Sequence, residues 1–291
     1  MVAPLQLAIK MLECFCLMRK AEKTPLVLVR FPCLDHGDFV EICKKVFFPT
    51  EPYTLGQYAL AMAGLHILFS EFKDLAESAQ QSEMLEKCAD VCGTNFIVAL
   101  SKYPLLVPPT LENIQTMFIA VSYLIVNQTT SRLLPANVSL LQAEQAAELS
   151  RPSMAWMYVT VAAQLCLTLG YHRRNPARED DLAKRRIFWF VYILERDISL
   201  QLGRSSQLQD DDINTLKPEP RIDSGFHSWD ILVLRSIEIA RIEGRIYKDL
   251  FCAAALSESL AVRVQRAKDL ASDLHALYEN EKEVSNVPTA L

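Results

Sequence analysis

Apolar residues recur at steps of three and four over most of the chain, the spacing that lines one face of a helix. Leu111, Ile114, Phe118, Val121 and Ile125 make one such run, with Thr110 placed to cap it. Ile187, Val191, Leu194, Ile198 and Leu202 make another. The pattern predicts a short apolar helix within 1–23, closed by the charged tract RKAEK. Residues 25–33 are expected to be extended or irregular, because Pro25 and Pro32 bracket β-branched residues, and 48–54 reads as a proline-punctuated loop. Helices follow over about 55–75, 82–100 and 110–127, then 139–149 and a separate one from Pro152 to Gly170. A cap at Asp180 or Asp181 opens the next, over about 182–202, which ends at Gly203. A loop runs from Arg204 to about His227, and two long helices close the chain near 228–256 and 257–283. No internal repeat or long linker divides this series. The fold class is all-α, a single large multi-helix domain over 55–291 behind a helix and irregular lead-in over 1–54.

Composition supports helices: only 8 of 291 residues are glycine, too few for a fold built on hairpins. Hydrophobic residues make up 51% and charged residues 22%, which is a packed core rather than a disordered chain. The net charge of −5, with basic residues interleaved among acidic ones, argues against direct binding of nucleic acid. The uncharged windows 113–131 and 153–171 are long enough to raise a membrane span. Both carry polar Gln, Thr or Ser and lack flanking charge asymmetry, so helices inside a large globule are expected instead. No secretory leader is recognisable, so the sequons at Asn127 and Asn137 are read as accidental.

Candidate chemistry is sparse. Eight cysteines (14, 16, 33, 43, 88, 92, 166 and 252) form no paired CxxC set for zinc and read as buried free thiols. The histidines (36, 66, 172, 227 and 275) are scattered without ligand spacing. No GxSxG turn, phosphate-binding glycine loop or calcium loop occurs; the run Asp210–Asp212 lacks the alternating ligands and terminal Glu of the last. An enzyme is not expected. Arg173 and Arg174, followed after a spacer by Lys184, Arg185 and Arg186, resemble a bipartite nuclear-import signal. The second cluster should begin a helix, however, whereas import receptors read extended chain.

The stretch 162–213 is the most informative. Phe188, Trp189, Phe190 and Tyr192 broaden the apolar stripe of the helix over 182–202 until most of its surface is covered. Arg185, Arg186, Glu195, Arg196 and Asp197 therefore sit on or beside a buried surface. A buried guanidinium requires a partner. Arg186 is expected to reach Tyr192 or the acidic loop, and Arg196 to meet Asp210–Asp212.

The same stretch resembles the fungal-specific regulatory domain, or middle homology region, of zinc-cluster transcription factors. Its pattern is an A..LGLH segment, a variable loop, RR.FW..Y.LDR..S...GRP and an I.D.DI tail. Ala163, Leu169, Gly170 and His172 match the first part. Arg185, Arg186, Phe188, Trp189, Tyr192, Leu194, Arg196, Ser199, Gly203 and Arg204 match the second, and Leu208, Asp210, Asp212 and Ile213 the tail. Tyr171, Glu195 and Ser205 stand where the family usually has Leu, Asp and Pro. The segment 237–256, IEIARIEGRIYKDLFCAAAL, is similar to a later helix of the family with an I.G.IY..L core. The resemblance covers most of 110–280 in order.

It implies a nuclear regulatory module acting on transcription by RNA polymerase II, with transcription machinery or co-regulators as partners. It leaves room for a small-molecule effector between helices and for a homo-oligomer, and implies no membrane partner. In the family, zinc belongs to a six-cysteine DNA-binding cluster whose spacing is absent from these 291 residues. No cofactor or direct DNA contact is therefore expected of this chain, and its motif residues read as structural. A protein–protein adaptor that keeps the fold without direct transcriptional activity is the alternative.

Overall fold

A computed structural model describes residues 9–11, 14, 36–76, 78–104, 106–126, 140–174, 182–220 and 227–285. Among them there are helices and loops but no strand. The elements are α1 (His36–Phe47), α2 (Leu55–Lys73), α3 (Ala79–Ser101), α4 (Leu111–Val126), α5 (Leu140–Thr168), α6 (Leu182–Gln201), α7 (His227–Ile246), α8 (Ala253–Leu256) and α9 (Leu260–Ser285). Apart from helical turns at 9–11 and 14, the opening helix, the extended 25–33 stretch, the cap at Asp180 or Asp181 and both sequons lie outside the described residues.

Helix α2 is the hub of the first half. Thr54 and Gln57 close a reciprocal capping box: the Thr54 hydroxyl accepts from the Gln57 amide at 3.0 Å, and the Gln57 side chain accepts from the Thr54 amide at 3.1 Å. Beyond that cap the helix is apolar on nearly every side. Ala59, Leu60, Ala61, Leu65, Leu68 and Phe69 are all fully buried, because α1, α3 and α4 pack around it. Helix α4 passes the core on to α5, α5 to α6 and α6 to α7. Thr110 caps α4 as its position predicts, its hydroxyl accepting from the Asn113 amide at 3.2 Å.

Three expectations are corrected. Helix α1 occupies 36–47, inside the segment read as a lead-in. It puts Phe39 and Cys43, one turn apart, into the common core. The separate helices expected on either side of Pro152 are one helix, α5, with Pro152 inside it; proline removes a single N–H donor there and the helix runs through. The helix expected over 228–256 stops at Ile246. A wider, π-helical turn follows at Tyr247–Phe251, and Cys252 becomes extended before α8.

Candidate functional site

Helices α5 and α6 end in the same way, and those endings set the site. Gly170 and Gly203 have φ of +72° and +63°, where a Cβ is strained. At the first, the Tyr171 and Gly170 amides donate back to the Cys166 and Leu167 carbonyls at 2.9 and 3.1 Å. At the second, the Arg204 and Gly203 amides donate to the Ser199 and Leu200 carbonyls at 2.8 and 3.0 Å. Both are Schellman closures, which turn the chain sharply off the helix while satisfying its last carbonyls. The second sends residues 204–216 back along α6.

The buried charges of α6 then hold that returning loop. Glu195 is fully buried; its carboxylate accepts from the Ser199 hydroxyl at 3.1 Å, the Gln207 amide at 2.9 Å and the Ser206 hydroxyl. Arg196 is 6% exposed and donates through Nη2 to the Leu208 carbonyl and, at 3.2 Å, to Asp210. Asp210 also accepts from the Tyr192 hydroxyl at 2.6 Å. The guanidinium carbon lies 5.2 Å from the centre of the Tyr192 ring. Burial first, and the bond to Asp210 second, push the Tyr192 phenol well above its usual range, so it stays a donor. One turn earlier, Trp189 donates from its indole nitrogen to the Leu216 carbonyl at 2.9 Å. Four side chains of α6, Trp189, Tyr192, Glu195 and Arg196, thus latch one loop, and the Ser199 hydroxyl holds Glu195 in place.

Helix α7 closes the other side of the latch. Gly244 packs directly on the Arg196 guanidinium, and a Cβ there would overlap Nη1. Glu243, beside it, has its carboxyl pushed up to about 7 by burial and by Asp197, with Arg196 opposing.

The remaining motif residues fall around this centre. His172 is buried, and its backbone carbonyl accepts from the Asn214 and Thr215 amides, both at 3.1 Å, tying the end of α5 to the far end of the loop. Burial, then Arg173, lowers its imidazole pKa, while Asp212 opposes. Arg204 stacks at 4.1 Å over the Trp156 ring. Arg185 and Arg186 are half-buried on the first turns of α6, so Lys184–Arg186 is helical and not extended; Arg173 and Arg174 are exposed. Tyr192, one of the two partners expected for Arg186, gives its hydroxyl proton to Asp210. Sequence reasoning did not single out Ser206, Gln207 or the Leu208 carbonyl as partners. Gly244 lay within the I.G.IY match, but its contact with Arg196 left no trace in the spacing.

A polar cleft of about 490 Å³ opens beside the latch, lined by Arg196, Arg204, Asp210, Glu243, Lys248 and Cys252 among others. Among the described residues no three His, Cys, Asp or Glu side chains converge as metal ligands, and no helix is long and apolar enough to cross a membrane. Cys14, Cys43, Cys88, Cys92 and Cys166 are buried, and burial raises the pKa of Cys43, Cys92 and Cys166.

This arrangement falls inside a match of residues 30–258 to the family described as the fungal specific transcription factor domain. The chain belongs to that family. Within it, the chain is 27% identical over 124 residues to an uncharacterized transcriptional regulatory protein of Schizosaccharomyces pombe, covering 38% of this chain and 16% of that protein. It is 28% identical to the negative regulator of pleiotropic drug resistance STB5 of Candida glabrata, covering 44% and 14%. It is 29% identical to an ABC-transporter-regulating transcription factor of Aspergillus fumigatus, covering 37% and 13%. The aligned part is therefore under a fifth of each of these relatives' own length. No solved structure matches the chain. The latch of α6 is thus a feature of a fungal transcription factor domain; the Schizosaccharomyces and Aspergillus relatives are named as regulators of transcription, and none of the three as an enzyme.

Proposed function

We propose that this chain is the regulatory portion of a nuclear transcription factor that controls RNA polymerase II through contacts with co-regulators or an effector, without reading DNA itself. The observation that carries this reading is the inward use of the motif's charges. Glu195 and Arg196 are spent on the loop 206–210 and are closed to phosphate. Zinc has its place in the family's DNA-binding cluster, not in the chemistry of this domain. A small-molecule effector would sit in the cleft between α6, the loop and the turn at 247–251, because a ligand there would touch both the latch and α7.

The test is a tethered reporter. Fused to a heterologous DNA-binding domain in a fungal host, the chain is expected to change reporter transcription relative to that DNA-binding domain alone. Equal transcription at equal protein level would refute the regulatory reading. Salt-sensitive, sequence-specific DNA binding by the unfused chain would refute its second half.

A further inference from the structure

Helices α6 and α7 meet on a buried guanidinium that has a donor to spare. Arg196 gives Nη2 to the Leu208 carbonyl and to Asp210, while its Nε is buried without a hydrogen-bond partner. The backbone of α7 lies directly against that group at Gly244. The preceding residue of α7, Glu243, shares the polar cleft with Arg196, and no hydrogen bond or ion pair among the described residues reaches its carboxyl. An unused donor on α6 and an unused acceptor on α7 therefore stand on either side of one contact.

The charges around Glu243 decide when it can accept. From α6, Asp197 acts against its ionisation and Arg196 for it. The loop after α6 adds Arg204, Asp210 and Asp211 to the cleft, and the turn at 247–251 adds Tyr247, Lys248 and Asp249. Arg245, on its own helix, is bound to Asp273 of α9. Asp210 is already held by Arg196, and Arg204 lies over Trp156. Lys248 and Asp211 are exposed, so water and salt screen them. Burial first, and Asp197 second, outweigh Arg196 and push the Glu243 carboxyl up to about 7. While that carboxyl is neutral, the guanidinium has one carboxylate to bind. Ionised, Glu243 repels Asp197 across the α6–α7 contact and competes with Asp210 for Arg196.

We propose that a proton on Glu243 locks the loop that follows α6: protonated, Glu243 leaves Arg196 to Leu208 and Asp210, and ionised, it strains the α6–α7 contact and draws Arg196 off the loop. The switch belongs to the fold and stands whether or not the chain regulates transcription. Its test is hydrogen exchange at the Gln207 amide of the full chain at pH 6 and pH 8, each rate corrected for that of an unprotected amide. The parent, Glu243→Gln and Asp197→Asn are compared. A carboxyl that titrates near about 7 when the contact is closed and near 4.5 when it is released makes closing about tenfold less favourable at pH 8 than at pH 6. Protection of Gln207 in the parent should therefore fall by about three- to tenfold between those pH values. In Glu243→Gln, which cannot ionise, the fall should be less than about twofold. Asp197→Asn removes the repulsion but keeps Glu243, so it should move the fall to lower pH; it also carries the test if Glu243→Gln does not fold. Constant protection in the parent, or the same pH dependence in the parent and both variants, overturns the proposal. Gln207 protection equal to that of the α2 amides at both pH values also overturns it, because the loop then opens only with the whole fold.

Discussion

Replacing Gly244 by alanine adds one methyl group where α7 rests on the Arg196 guanidinium. In an ordinary helix interior the change would stabilise by about 1 kcal/mol. Here the new Cβ overlaps Nη1, and the guanidinium is buried with its other edge bound to the Leu208 carbonyl and Asp210, so it cannot swing aside and keep both bonds. Hydrogen bonds from a charged donor contribute roughly 1.5–3 kcal/mol each. The lower end applies to the one on Asp210, which is 40% exposed and can be rehydrated. Set against the propensity gain, the expected net loss is about 2–3 kcal/mol. Arg196→Ala alone should cost about 3 kcal/mol, at the low end of the range for breaking a buried ion pair. In the Arg196→Ala background the methyl meets no guanidinium, and Gly244→Ala should then stabilise by up to about 1 kcal/mol. The coupling energy of the cycle is therefore roughly 3 kcal/mol, far above the few tenths expected of independent sites. Urea unfolding followed by circular dichroism measures all four proteins. Additive effects, or a Gly244→Ala protein more stable than the parent, would refute the contact as described.

Glu195→Leu leaves the Gln207 amide without its acceptor and should lower stability by about 1–3 kcal/mol; Glu195→Gln, which keeps one acceptor oxygen, should cost clearly less in the same assay. Gly203→Ala meets no atom within 4 Å but must adopt φ near +63°, so a loss of about 1–2 kcal/mol is expected from conformation alone, and an unchanged urea midpoint would contradict it. For Glu243, the folded carboxyl titrates near about 7 and the unfolded one near 4.5, so the folded state binds the extra proton between them. Its contribution to stability is full below about 4.5 and is lost as the pH rises through about 7. Glu243→Gln should accordingly gain stability relative to the parent between pH 5 and pH 8, and a constant difference between the two proteins would count against the raised carboxyl.

Periodicity made the helices over 111–126 and 182–201 legible, because their apolar stripes are long and their ends carry specific signals, Thr110 for one and Gly203 for the other. The pairing of Arg196 with the acidic run was legible for a related reason: a charge on a covered helix needs a counter-charge, and the loop that follows α6 carries the run Asp210–Asp212. The rest of the latch was not. Leu208 contributes a backbone carbonyl, which every residue has, and Gly244 earns its place through a side chain 48 positions earlier. Helix α1 was hidden because its two core residues, Phe39 and Cys43, stand between proline-rich stretches that read as irregular. No proline or glycine follows Ile246 within the wider turn to announce the break; that turn comes from tertiary context, with Arg263 and Arg266 of α9 bonding its carbonyls.

That the motif's charges work inside the protein, holding the loop that follows α6, is tested most directly by hydrogen exchange at the amides of residues 207–215 in the parent and in Arg196→Ala. The expected result is slow exchange of the Gln207, Asn214 and Thr215 amides in the parent and at least tenfold faster exchange of Gln207 in the variant, with the amides of α2 still protected under the same conditions. Exchange of Gln207 at the unprotected rate in the parent, or a rate that Arg196→Ala leaves unchanged, would contradict it.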